Sequence, residues 1–421
     1  MHLFPINWIK PKSGHLFFFI ALFAWLMRVA FILAFPELGS PAHMDSGTYH
    51  SIAVNLIQGN GYSEDGLNPS IFVAPGLPFL LAAVYRLIGV HPMAIDFIFS
   101  LLGIGIGVWV FLLARRLFGG TVAWVAFILT LLLPDLFVIV TFLYTETLFI
   151  FFLLFEFWLL YRLLEHPSPG RAALAGLVGG MVTLIRGVTL WLPLLLLPIL
   201  IIYFGYKRAL QSVVLFVVFM SIPILPWMYR NIRTFDAMVP VAVGTGDVLW
   251  TGNYLPHDGK YSYDKTMAVM DSIAAGLNQV QREERLLAEA KRHMAQNPSA
   301  TARLLVKKFF RFWFWVYEAT PGGTVRNTHS MTRIVLSLGY YPLLILFLFG
   351  LWLSRRRWRQ LLLLYLFCAY YTAIHVLTLV VPRYRIPILP IMAIFAAVTI
   401  VFLYNFWRGK SAVEMNLGTS R

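Results

Sequence analysis

LFFFIALFAWLMRVAFILAF, residues 16–35, decides the fold class: twenty residues, every one apolar except Arg28. A helix of about 20 residues crosses the roughly 30 Å hydrocarbon core of a bilayer. Working outward, comparable runs recur at 95–113, 122–139, 147–161, 172–185, 188–204, 213–227, 334–353, 361–379 and 386–406. The 421-residue chain is 59% hydrophobic with only 13% charged residues, and its mean hydropathy is +0.73. A soluble domain carries about 25% charge, so this chain has too little to solvate a whole surface. The expected class is an all-α polytopic membrane protein with about ten transmembrane helices.

Charge orients the spans. The short basic clusters are Lys10/Lys12, Arg115/Arg116, Arg162/Arg171, Lys207/Arg208, Arg355–Arg357 with Arg359, and Arg408/Lys410. Ten crossings put all six clusters on one face, which the positive-inside bias makes cytoplasmic, together with both termini. The first apolar run is too long for a secretory h-region and reads as an uncleaved helix. Residues 75–88 are too short to cross and read as an interfacial or re-entrant helix on the outer face. The chain then divides into three parts: a membrane module at 1–228 with an outer loop at 36–92, an outer segment at 229–333, and closing helices at 334–421. In the outer segment, residues 279–296 read as a polar helix stopped at Asn297-Pro298. Residues 302–316 mix Arg and Lys with Phe and Trp, as a helix in the headgroup layer would.

The net charge of +15 follows from those cytoplasmic clusters and implies the bilayer and lipid phosphates as partners, not nucleic acid. The single Cys368 excludes an intramolecular disulfide, and no Cys/His metal spacing, P-loop or Rossmann glycine pattern is present. No cofactor is required by these residues, a divalent metal staying open. With no nucleotide site evident, an activated donor is expected from elsewhere, a membrane-embedded one being the first candidate.

The informative charges are those away from the cytoplasmic face. Trp227-Met-Tyr-Arg230-Asn231-Ile-Arg233 and Pro382-Arg383-Tyr384-Arg385 each place two arginines at a membrane exit. Arg186 sits at an outer helix end, and Arg28 lies within the first span. Guanidinium forks match phosphate oxygens bidentately and stay charged. Arginines at helix ends also snorkel for purely structural reasons. Among the carboxylates, Asp45 stands just after the first span, where it suits a helix cap or a catalytic base. Glu146 opens the fourth span and can pair with Arg28 or Arg186. Glu156 lies deeper and is expected to neutralise an arginine; His375 reads as a core histidine.

These residues resemble the GT-C membrane glycosyltransferases, specifically the branch of protein O-mannosyltransferase-like and aminoarabinose transferase-like enzymes. The resemblance runs through Arg28, then Asp45-x-x-x-Tyr49-x-x-x-Ala53-x-x-Leu56-x-x-Gly59-x-Gly61-Tyr62, and Pro75-Gly-x-Pro78. It continues through Glu146-x-Leu148, Pro226-Trp227-x-x-Arg230-Asn231, Gly252-Asn253 and Pro382-Arg383-Tyr384-Arg385-x-Pro387. It implies a GT-C-like helical bundle in the inner membrane, moving a monosaccharide from a polyprenyl-phosphate donor at the outer face. The acceptor, whether glycan, lipid or protein, stays open. Asp45 takes the place of the family's outer-loop acid, with Glu146 as the alternative. Arg383, Arg385 and Arg230 are the candidates for the donor phosphate, followed by Arg186 and Arg28. Tyr49, His43, Tyr62, Asn231, Asn253 and Tyr384 are candidates for holding substrate. The sequence departs from the aminoarabinose branch where Ser46 follows Asp45 and Ala74 precedes Pro75.

A sugar phosphate carries its own leaving group, so the chemistry needs cations for the phosphate and a carboxylate to take the acceptor proton. One such carboxylate favours inversion by direct displacement. The competing classes are a lipid-linked-glycan flippase or transporter, and a non-catalytic envelope assembly protein. A transporter is expected to carry paired repeats or helices broken at mid-membrane, and no repeat is evident.

Overall fold

The computed structural model describes residues 11–42, 44–259, 263–315 and 330–409, so His43 lies outside the described residues. Those residues are mostly helical, with non-helical loops such as 59–75 and 236–244 and an isolated bridge between Ser63 and Pro69. Helix α1 (Pro11–Ala34) leads into two short helices, α2 (Met44–Gln58) and α3 (Gly76–Ile88). The bundle continues with α4 (Pro92–Phe118), α5 (Gly120–Leu132), the short α6 (Pro134–Val138), α7 (Thr145–Glu165) and α8 (Pro169–Ile185). Next come α9 (Leu192–Phe204) and α10 (Tyr206–Phe235). The segment between α10 and the closing helices holds α11 (Thr245–Asn253), α12 (Tyr263–Ile273), α13 (Gln279–Gln296) and α14 (Pro298–Phe314). The chain closes with α15 (Ser330–Ser354), α16 (Trp358–Leu377) and α17 (Leu389–Trp407).

Among the described residues, seven helical runs are long and apolar enough to cross a membrane. An eighth forms when α5 and Pro134–Thr141, bent by 60°, count as one span. The longest run, Ile334–Leu377, is divided by a 3-10 turn at Arg355–Arg357 into α15 and α16. With that division and the 17-residue α8, each of the ten apolar runs has its helix. Helix α3 stays at 13 residues, too short to span.

The interior is built on α7 and α17. Every residue from Leu389 to Thr399 is buried, so truncating Phe395 to Ala would cost about 3–5 kcal/mol. The exposed apolar residues of α1, such as Phe18, Phe19 and Phe23, are what a lipid-facing helix presents. Gly176 and Gly180 let α8 touch α10: a Cβ on either would lie 2.2 Å from the Phe216 carbonyl or 2.3 Å from that of Met220. Glu156 departs from expectation. It faces Gly179, is fully buried, and neither carboxylate oxygen has a hydrogen-bond partner among the described residues.

Among the described residues, the basic clusters around Arg115/Arg116 and Arg355–Arg359 share one end of the bundle. There Arg116 pairs with Glu165, the Tyr203 hydroxyl donates to the Arg359 carbonyl (2.9 Å), and Arg357 lies over Phe118. The N-termini of α7 and α17 and the C-termini of α8 and α10 therefore meet at the opposite end, beside the segment that holds α11–α14. In that segment Asn278 and Gln281 close a capping box on α13. The Glu283 carboxylate accepts from the Gly244 and Gly246 amides at the start of α11 (2.8 and 2.9 Å), where the helix dipole favours negative charge. Helix α14 is amphipathic: Leu304, Lys308, Arg311 and Phe312 are buried, while Val306, Phe309, Phe310 and Phe314 are exposed.

Candidate active site

Four elements deliver charge to one point. Asp45 lies in the first turn of α2, Glu146 in the first turn of α7, Arg186 follows the last residue of α8, and Arg383 sits in the 3-10 turn Pro382–Ile388 that feeds α17. Arg383 Nη2 donates to Asp45 Oδ2 (2.5 Å), and its Nε lies 3.3 Å from Glu146 Oε1. Arg186 Nη1 lies 3.1 Å from the same Glu146 oxygen. The result is an alternating chain of carboxylate, guanidinium, carboxylate and guanidinium. Both acids also stand in a helix's first turn, where the N-terminal dipole stabilises negative charge.

Exposure separates the two acids. The Asp45 side chain is 43% exposed and that of Glu146 only 2%. Asp45 is thus open to a molecule arriving from outside, whereas Glu146 is enclosed between the two arginines. Helix α2 therefore does not use Asp45 merely as a cap; its carboxylate is spent on Arg383.

Aromatic rings wall the cluster. Arg383 lies over Tyr144 (4.3 Å to the centroid), and Tyr384 is flanked by Arg186 at 5.7 Å and Arg383 at 5.8 Å. Behind them His375 stacks on Tyr371 (centroids 4.4 Å apart) and meets Tyr384 edge-on at 5.0 Å. His375 Nδ1 contacts the Tyr371 carbonyl at 2.9 Å, which satisfies it as a core residue. Tyr49, one turn after Asp45, has its phenol pKa raised by burial first and then by the Asp45 and Glu146 charges. It stays protonated and able to donate. Thr147 Oγ1 and Tyr371 Oη are buried without a hydrogen-bond partner among the described residues, and the buried Arg186 Nη1 and Arg383 Nε meet only Glu146 Oε1, as ion pairs.

The other sequence candidates are committed elsewhere. Arg385 Nη1 donates to the carbonyls of Phe312 (3.0 Å) and Trp315 (2.7 Å), and its guanidinium stacks on Tyr340. A 3-10 turn has three residues per turn, so Arg383 and Arg385, two apart, point in different directions. Arg230 donates to the carbonyls of Ser70 (2.8 Å) and Tyr62 (3.3 Å) among Tyr62, Trp227 and Phe235. Arg28 donates to the Ala24 and Leu131 carbonyls (3.1 and 3.0 Å) and does not pair with Glu146. Tyr62 donates to the Val73 carbonyl, and buried Asn231 to that of Val239. Asn253 donates to the carbonyls of Leu249 and Leu377. Two site residues escaped the sequence reading: Tyr144, whose only signal is adjacency to Glu146, and Tyr371, which has none. Among the described residues no group of three or more His, Cys, Asp or Glu is placed to hold a metal.

Residues 72–229 match the model of the dolichyl-phosphate-mannose-protein mannosyltransferase family. That stretch holds Glu146 and Arg186; Asp45 and Arg383 flank it. No curated protein sequence matches the chain. Among solved structures, the chain is similar to ArnT from Cupriavidus metallidurans bound to undecaprenyl phosphate, with a TM-score of 0.54 and 17% identity. That match covers 92% of this chain and 59% of ArnT. It is also similar to the oligosaccharyltransferase AglB from Archaeoglobus fulgidus in complex with an inhibitory peptide and a dolichol-phosphate. There the TM-score is 0.58 at 15% identity, over 98% of this chain and 53% of AglB. The chain thus spans little more than half the length of either neighbour. The chain is a polytopic helical membrane protein that shares its fold with these two neighbours over nearly its whole length, and its residues 72–229 are similar to the protein-mannosyltransferase family.

Proposed function

We propose that this chain is a glycosyltransferase that moves a monosaccharide from a polyprenyl-phosphate donor to an acceptor hydroxyl at the outer face of the inner membrane. The observation that carries the reading is the Asp45–Arg383–Glu146–Arg186 chain at the end of the bundle away from the basic clusters. Arg383 and Arg186 hold the donor phosphate, and Glu146 sets their spacing. Tyr49, Tyr144 and Tyr384 wall the sugar. The acceptor hydroxyl loses its proton to Asp45 as its oxygen bonds to the anomeric carbon. The bond from that carbon to the phosphate oxygen breaks, and both its electrons leave on the phosphate, which the guanidinium groups stabilise. No general acid is needed. With one accessible carboxylate, attack comes from the face opposite the phosphate and inverts the centre.

The resting ion pair gives this reaction an order. Arg383 is shared between Asp45 and the phosphate, so a donor that recruits Arg383 frees the base, and Asp45 becomes competent only once a leaving group is in place. The test is purified protein incubated with a panel of polyprenyl-phosphate sugars, following donor consumption with and without Asp45. Asp45→Asn is expected to lower turnover about 10²–10⁴-fold, the contribution of a general base, while the protein still inserts and binds polyprenyl phosphate. Unchanged turnover by that variant would remove Asp45 from the mechanism.

A further inference from the structure

Lys307 and Lys308 are neighbours on α14 with opposite surroundings. Lys307 is exposed and reaches Asp258 (2.9 Å); Lys308 is completely buried. The Lys308 Nζ donates to the carbonyls of Thr378 (2.8 Å), Gly252 (2.9 Å) and Leu377 (3.3 Å), and to Asn253 Oδ1 (3.1 Å). The three carbonyls belong to helix ends. Gly252 is in the last turn of α11, and Leu377 and Thr378 are the last residue and C-cap of α16. Terminal carbonyls have no intrahelical partner and carry the negative end of the helix dipole, so one buried ammonium caps two helices at once. The two ends are in contact: a Cβ at Gly252 would fall 1.7 Å from the Thr378 carbonyl oxygen. Asn253 closes the knot by donating to the Leu377 carbonyl at 2.8 Å. Burial first, and then the Arg311 charge, push the Lys308 amine down to about 7.

The knot lies five residues before Arg383. Two residues after Arg383, Arg385 is held by the Phe312 and Trp315 carbonyls at the far end of α14. Helix α14 thus grips the segment 378–385 on both sides and leaves Arg383 projecting between the grips. We propose that Lys308 is a positioning residue for the phosphate site, fixing the α16 terminus so that Arg383 meets the donor phosphate. The proposal rests on the functional reading above and assigns to the outer segment a part in building the site within the bundle.

Binding of undecaprenyl phosphate to the full chain in lipid nanodiscs tests it. Lys308→Met is expected to weaken binding about tenfold, Lys308→Arg to retain part of the affinity, and Lys307→Met to leave it unchanged. In an Arg383→Gln background Lys308→Met should bring no further loss, because Lys308 acts through Arg383. If Lys308→Met fails to fold, Asn253→Ala loosens the same knot, with an expected loss of about two- to threefold that likewise vanishes in Arg383→Gln. A lowered Tm with unchanged Kd in these variants, or losses that add to Arg383→Gln, would make the knot structural only and overturn the assignment. Absence of binding by the wild-type chain would instead overturn the functional reading, and this assignment with it.

Discussion

Two arginine motifs that look alike in sequence meet different fates. Arg230, in Trp227-Met-Tyr-Arg230, spends its donors on the Ser70 and Tyr62 carbonyls amid aromatic rings. Arg383, in Pro382-Arg383-Tyr384-Arg385, spends its donors on the carboxylates of Asp45 and Glu146. The difference lies in what a phosphate could displace. An arginine that satisfies buried carbonyls cannot be withdrawn without leaving them unpaired. One balanced against carboxylates exchanges one anion for another. The first kind of contact fastens the fold, and the second is available for chemistry.

The comparison breaks first at Arg383. Arg383→Gln should reduce turnover about 10²–10³-fold, the effect of losing one charge-stabilising donor, measured as donor consumption per folded molecule because this variant too strips Glu146 of a cation. Arg186→Gln strips the buried Glu146 of one of its two cations. Breaking a buried ion pair costs about 3–5 kcal/mol, so this variant should lose stability as well as turnover, read from denaturation and donor consumption together. Glu146→Gln keeps the hydrogen-bonding shape without the charge; turnover should fall about tenfold, less than for Asp45→Asn, and an equal loss would show that the two acids share the proton-accepting role. The smallest effect on chemistry is expected on the other side of the comparison. Arg230→Gln should lower stability by about 1–3 kcal/mol through unpaired carbonyls, while turnover per folded molecule stays as it was. A turnover loss matching that of Arg383→Gln would erase the distinction.

Much of the fold was legible because the bilayer permits few solutions. Backbone groups in hydrocarbon must pair within a helix, so apolar length located the spans, and Asn297-Pro298 located the boundary between α13 and α14. Asp45, Glu146, Arg186 and Arg383 could be singled out because each stands at a helix end on the face away from the basic clusters. Which arginine of a pair enters the site was not legible, since the 3-10 turn that parts Arg383 from Arg385 leaves no mark in the sequence. Lys308 was hidden for another reason. Most of its partners are backbone carbonyls, which every residue carries, and a cage of them has no sequence signature. Glu156 was assigned an arginine on charge balance alone, whereas its neighbours are Gly179 and Phe216.

The central claim is that one guanidinium serves both the base and the leaving group, and binding of undecaprenyl phosphate to Asp45→Asn, Arg383→Gln and the double variant tests it most directly. The Asp45–Arg383 pair is partly exposed, so its worth is about 1 kcal/mol, and freeing Arg383 should tighten binding about fivefold. The account predicts that Asp45→Asn binds undecaprenyl phosphate more tightly than the wild type and that the gain disappears once Arg383 is Gln. Weaker binding by Asp45→Asn, or a gain that persists without Arg383, would contradict it.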